Sequence, residues 1–254
     1  MRKFLLFFVE GKSDRMALEI AIPALYDRID KNIEVRFLEF GTDITCYDKD
    51  WINKKIHNIL DDFCKKEKID FNNITNIIHI GDTDGTFISD EMVRLDKEPD
   101  RHKALYQHRT LYYEKDQITC INDDAIGKIK ERNATKSNNL NWLSRRNEIE
   151  IEKEKIKIPY KIYYFSCNLD HFLHKDQNLG KKNKCIEAKK FADRYNIGKE
   201  LQFAEDISND SDAIHGMNYE KSWEFIKLDN NSLKRHTNFN LLLEKLLQDI
   251  EKNQ

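Results

Sequence analysis

Long apolar runs are missing from this 254-residue chain, prolines number only three, and the charges nearly cancel. The first apolar run, Phe4-Leu5-Leu6-Phe7-Phe8-Val9, stops at Glu10, far short of a signal core or a membrane span. With 43 Lys and Arg against 45 Asp and Glu, the formal charge is −2. No global field therefore draws in a polyanion, and any nucleic-acid binding must come from a local patch. The five cysteines are odd in number and show no CxxC spacing, which excludes a disulfide frame and a zinc site. They read as reduced thiols in a soluble, cytoplasmic protein. No GxxxxGK[ST] loop is present, so the chain is not itself an ATPase. GxSxG and a recognisable Cys/His nucleophile context are lacking too. Length alone allows a substantial core, built as one domain with elaborations or at most two. There is no internal repeat and no long disordered segment.

Acidic residues at strand ends are what the chain does have. Glu10-Gly11-Lys12-Ser13-Asp14 follows the first apolar run, and Asp82-Thr83-Asp84-Gly85 follows Ile77-Ile78-His79-Ile80. Short β-branched and aromatic runs ending in Gly and Asp read as buried parallel strands. In open α/β sheets, chemistry gathers outside the carboxyl ends of such strands. Glu10, Asp82 and Asp84 are thus expected to face one crevice. Carboxylates that close repel one another and raise each other's pKa unless a cation neutralises them. Oxygen donors without neighbouring Cys or His point to Mg2+ or Mn2+. Asp82 and Asp84 are two apart, so an extended chain would aim both at one ion or at a pair of ions.

Phe7-Phe8-Val9-Glu10-Gly11-Lys12-Ser13-Asp14 and Ile78-His79-Ile80-Gly81-Asp82-Thr83-Asp84-Gly85 together resemble the Toprim domain. That magnesium-binding module occurs in topoisomerases, bacterial primases, OLD-family nucleases and rRNA-maturing ribonucleases. The match covers about the first ninety residues and extends to the strand near 160–166. It implies that Glu10 handles protons or binds metal, that Asp82 and Asp84 hold the ion, and that Asp14 is a further acidic group of the OLD type. A topoisomerase would need a nucleophilic tyrosine on a separate large domain, and a primase a zinc module; this chain has room for neither. The resemblance implies a Mg2+-dependent endonuclease cutting DNA or RNA, tRNA included, and stand-alone effectors of PARIS-type anti-phage defence are its nearest analogue. An ABC-type ATPase and a second copy of the chain are the partners so implied, and a membrane is not.

The predicted fold is α/β: a Toprim or Rossmann-like, mainly parallel four-stranded sheet flanked by helices. Strands are expected at about 3–9, 33–40, 74–80 and 160–166. A helix capped by Ser13 runs to Leu25, kinked or restarted at Pro23, and a second spans 51–64. Residues 1–95 form the first part of the core and 96–157 a mostly helical insertion, with helices at 123–134 and 139–153. Residues 158–254 supply the returning strand and a helical C-terminal region. The dense charge of the 139–153 helix reads as a solvated face.

After the fourth strand, Asn168 is placed to cap a helix on which Asp170 and His174 lie one turn apart and can pair. OLD-like nucleases carry a carboxylate in a comparable place, which makes Asp170 a further metal ligand by resemblance. His171 and His174 either share a metal or serve packing and hydrogen bonding. Lys175, Lys181, Lys182 and Lys184 crowd a stretch with few acids and, with Lys12, either hold the substrate phosphates or are ordinary surface lysines. Arg235-His236-Thr237-Asn238 either faces the crevice or is a capping and ion-pairing segment. A rival to the nuclease is a regulatory module of the same fold that binds a protein partner or a nucleotide without cutting.

Overall fold

The computed structural model describes residues 2–106, 109–151 and 155–253. Strand β1 (Lys3–Val9) leads into helices α1 (Lys12–Leu18) and α2 (Ala21–Ile29), strand β2 (Ile33–Glu39) and helix α3 (Lys49–Glu67). Strand β3 (Ile74–Asp82) follows, then β4 (Val93–Leu95), β5 (Leu111–Tyr113), β6 (Ile118–Cys120) and the long helix α4 (Asp123–Leu143). Strands β7 (Glu148–Ile151) and β8 (Ile156–Phe165) precede helices α5 (Leu169–His174), α6 (Lys181–Arg194), α7 (Glu200–Ser208), α8 (Tyr219–Phe225) and α9 (Asn240–Lys252).

The main sheet has five strands in the order β2-β1-β3-β8-β7. Four of them are parallel, as expected, but β7 is antiparallel to β8 and makes the sheet mixed. In β1 the residues alternate between faces: Leu5, Phe7 and Val9 pack under α1, α2, α7 and α9, while Phe4, Leu6 and Phe8 pack against α3. Burial on both sides explains why this strand is a continuous apolar run. A second sheet, β4-β6-β5, packs on α4 through Val93, Ile118, Cys120, Ala125 and Ile129.

Several local expectations are corrected. Gly11, not Ser13, is the cap of α1, and the Gly11 N–H donates to the Asp14 carboxylate at 2.9 Å. The helix breaks before Pro23, which then sits third in α2, where a missing N–H costs nothing. Residues 123–143 form one helix, not the end of one and the start of another. Where the second helix was expected, Glu148, Ile149, Glu150 and Ile151 alternate exposed and buried along β7. Residues 152 and 153 of that expected helix lie outside the described residues. The 96–157 segment accordingly carries β5, β6 and β7 besides α4. No helix among the described residues is long and apolar enough to cross a membrane, and the five cysteines form no disulfide.

Candidate active site

Adjacent parallel strands bring the two motifs together. The register pairs Phe8 with His79, so Glu10 leaves β1 beside the end of β3, and the Asp82 N–H donates to Glu10 Oε1 at 3.3 Å. Beyond the strands, the Gly41 N–H donates to the Glu10 carbonyl at 3.0 Å, which carries the β2 exit and Asp43 to the same edge. On the other flank, the Thr83 and Asp84 N–H groups donate to the Phe165 and Cys167 carbonyls at 3.1 and 2.7 Å. Asp84 and Gly85 both take left-handed backbone, φ +50° and +66°. Gly85 is obligatory there, because a Cβ would stand 2.3 Å from Leu233 Cδ2.

That turn overrides the expected same-side projection of Asp82 and Asp84. Asp82 Oδ1 accepts the Leu169 N–H at the start of α5, at 2.9 Å. Asp84 points to another set of partners: Lys136 Nζ at 2.7 Å and the Tyr113 hydroxyl at 3.0 Å. Arg132 holds the Asp84 carbonyl at 2.9 Å and the Tyr113 hydroxyl at 3.2 Å. The Lys136 ammonium, wholly out of solvent, also donates to Asp43 at 2.7 Å and lies 4.0 Å from Glu10. A second ammonium, Lys184, meets Asp170 at 2.6 Å. Five of the expected carboxylates therefore share one neighbourhood with Asp43, each half of it carrying a lysine.

The electrostatics divide the cluster. Burial pushes Glu10 well above the usual carboxylate range, and Asp43 adds repulsion that Lys136 only partly offsets. Asp82 is likewise raised by burial, then by Glu10 and Asp14. Burial also raises Asp14, to about 6, against the bond from Gly11. For Asp84, burial opposes ionisation, but Lys136 and Arg132 overcome it and hold the group below its ordinary value. Desolvation disfavours the Lys136 charge, yet Asp43, Asp84 and Glu10 raise its pKa well above normal. Glu10, Asp14, Asp43, Asp82, Asp84 and Asp170 outnumber Lys136, Lys184 and Arg132, so negative charge in excess of the local cations is available.

Among the described residues no three carboxylate, imidazole or thiol groups form a ready-made metal cage; Lys136 fills the space between Asp43, Asp84 and Glu10. The donor set is nonetheless all oxygen, with burial raising the pKa of Glu10, Asp14 and Asp82, and fits Mg2+ or Mn2+ chemically. Asp14 and Asp82 have no ion pair among the described residues, and Glu10 has only the longer 4.0 Å approach of Lys136.

Of the lysines expected to hold phosphate, Lys12, Lys175, Lys181 and Lys182 are exposed, whereas Lys184 turns inward to Asp170. Asp170 thus pairs with Lys184 and not with His174, whose ring packs edge-on against Phe191. Asn168 does cap α5, accepting the His171 N–H at 2.9 Å. Arg235 is held by Asp210 and Asp212 and is an ion-pairing residue. Asp43, Tyr113, Arg132 and Lys136 were not anticipated. Asp43 follows a parallel strand and could have been found by the rule that found Glu10. Lys136 continues the Ala125, Ile129, Leu140, Leu143 stripe of α4, a core position occupied by a cation.

In comparisons with known proteins, no family model, no curated protein and no solved structure matches this chain.

Proposed function

We propose that the chain is a Mg2+-dependent nuclease of the Toprim type. The observation that carries this reading is the meeting of Glu10, Asp14, Asp82, Asp84 and Asp170 beyond the ends of three parallel strands, at the edge where open α/β sheets do their chemistry. A bound divalent ion would supply Lewis acidity toward a phosphoryl oxygen. Glu10, Asp14 and Asp82 would hold it, giving up their protons as they do so. Glu10, at the end of β1 and hydrogen-bonded to the Asp82 N–H, would either serve as such a ligand or, left free of the ion, accept a proton from the attacking group. Lys136 keeps Asp84 and Asp43 ionised before any ion arrives, so the site is charged in advance. Exposed Lys12, Lys175, Lys181 and Lys182 are the groups left to meet a polyanion. An ABC-type ATPase partner and a role in anti-phage defence rest on the Toprim resemblance.

The test is metal-dependent cutting of RNA and of plasmid DNA by the purified chain, with Glu10→Gln as the control. Glu10→Gln should lose about a thousandfold in rate with substrate affinity little changed. Loss of binding with intact single-turnover chemistry would make Glu10 structural and end this mechanism.

One observation favours a second reading. The Lys136 ammonium already bridges Asp43 and Asp84, which suits a non-catalytic module that binds a protein or nucleotide. That module would cut neither substrate with Mg2+ or Mn2+, alone or with its partner.

A further inference from the structure

Next to the acidic cluster, on the neighbouring flank of α4, lies an open pocket of 660 Å3. Tyr47 and Trp142 line it, with Asn138, Asn141, Lys49 and Arg145. Tyr47 is 40% exposed although it stacks on Trp51 at 4.0 Å between centroids and 18° between planes. Two aromatic rings already in parallel offer a third planar ring a prepared surface to extend the stack. Trp142 lies between cations: Lys49 Nζ is 5.6 Å and the Arg146 guanidinium 4.8 Å from its ring centre. Asn141 Oδ1 is buried and has no hydrogen-bond partner, an acceptor in want of a donor. Planar aromatic faces, amide groups and flanking cations are the combination that receives a base and its phosphates.

The pocket is tied to the cluster by the chain itself. Asp43 binds Lys136 and accepts the Thr45 N–H at 2.9 Å, while Asn139 Nδ2 donates to the Thr45 and Tyr47 carbonyls at 2.8 and 2.6 Å. From Lys136 to Trp142 the helix rises only about 9 Å. A strand with a phosphate at the carboxylates would have to place a neighbouring base over this flank of α4 to meet Tyr47.

Resting on the nuclease reading, we propose that this pocket takes an unpaired nucleobase of a polynucleotide substrate, so the chain acts on single-stranded or looped nucleic acid. A base paired and stacked in a duplex shows its edges, not its face, and cannot lie on Tyr47.

The experiment uses the full chain in a chelator and a twelve-nucleotide single strand carrying 2-aminopurine, whose fluorescence falls on stacking. The single strand should bind with quenching. Its fully paired form should bind at least about tenfold more weakly, and Tyr47→Ala should weaken single-strand binding by a similar factor, with Tyr47→Phe restoring it. Equal binding of the duplex, equal binding of a free mononucleotide, or no effect of Tyr47→Ala overturns the proposal. Cleavage of the same oligonucleotides with Mg2+ separates the two readings. Tyr47-dependent quenching without any cutting retains the base pocket and removes the nuclease. Cutting of duplex and single strand alike, indifferent to Tyr47, retains the nuclease and removes the pocket.

Discussion

Lys136 Nζ stands 2.7 Å from the Asp84 carboxylate with no part of its side chain open to solvent. An ammonium in that position is held only by its acids, and they in turn are held ionised by it. Removing one partner leaves the other charges buried and unpaired, which costs far more than the pair gains.

Lys136→Met, similar in length and without charge, should therefore destabilise the protein by about 3 kcal/mol at pH 8. Asp84 and Asp43 lie below their ordinary pKa because of Lys136, burial notwithstanding. Groups so depressed contribute stability that is present above the unfolded carboxylate pKa and lost as pH falls through the folded one. In the variant the same two carboxylates are buried without their ammonium, so their pKa values rise and they take up protons at a higher pH than in the native fold. The deficit should therefore shrink as the pH is lowered towards 4. Denaturant titrations across pH measure this, and a deficit independent of pH would remove the pairing as its cause.

Asp82 and Asp84, two residues apart, should respond oppositely to the same substitution. Burial and Glu10 raise Asp82 well above its ordinary pKa. Its folded state binds a proton that the unfolded chain releases, so above the unfolded pKa its ionisation works against folding. Asp82→Asn should raise the Tm of the metal-free protein at pH 7 to 8, with a gain in stability on the order of 1 kcal/mol. The amide oxygen can still accept the Leu169 N–H. Asp84→Asn, which strands Lys136, should lower the Tm. Both should abolish cutting. Parallel changes in Tm would refute the division of the cluster.

The contrast between these two aspartates marks what sequence can and cannot tell. Strands β1 and β3, and the edge where Glu10 and Asp82 meet, were legible because buried parallel strands write themselves as apolar runs ending in acid and glycine. Strand β2 showed instead through the alternation of Glu34, Arg36 and Glu39 with Val35, Phe37 and Phe40, and β8 through the aromatic stretch after Pro159. The direction of Asp84 was not legible, because it depends on a left-handed turn at Asp84 and Gly85 and on Lys136, Arg132 and Tyr113, which come from far along the chain. Edge strand β7 is masked by the charge of Glu148 and Glu150, which suits a helix surface equally well, although their alternation with Ile149 and Ile151 is that of a strand. Lys136 was invisible for a different reason. A lysine among Thr135, Ser137 and Asn138 looks solvated until the acids from β2 and β3 are brought around it.

Metal binding should be coupled to proton release. Asp14 has its pKa raised to about 6 by burial, and Glu10 and Asp82 are raised as well. An ion bound by these groups must displace their protons, so affinity for Mg2+ or Mn2+ should rise with pH through 6 and above. Calorimetry in buffers of different ionisation enthalpy reads the protons directly. A binding heat that does not vary with the buffer would mean that the ion does not engage these carboxylates.

Neighbouring lysines of α6 should separate into two roles. Lys181 and Lys182 are exposed in its first turn, while Lys184 reaches inward to Asp170 at 2.6 Å. If the exposed pair meets the substrate backbone, Lys181→Glu with Lys182→Glu should weaken nucleic-acid binding and flatten its dependence on salt by about one unit of slope for each phosphate no longer neutralised. Melting temperature should stay as it was, since neither residue is among the ion-paired lysines. Lys184→Gln should do the reverse. It leaves a buried carboxylate without its ammonium, so the Tm should fall, and the salt slope should hold because this lysine is already neutralised within the fold. Fluorescence anisotropy over a salt series, beside thermal melts, distinguishes the two. An unchanged slope in the Lys181 and Lys182 double variant would leave that face of α6 as ordinary surface, and the path of the polyanion would then have to run past Lys12 or Lys175.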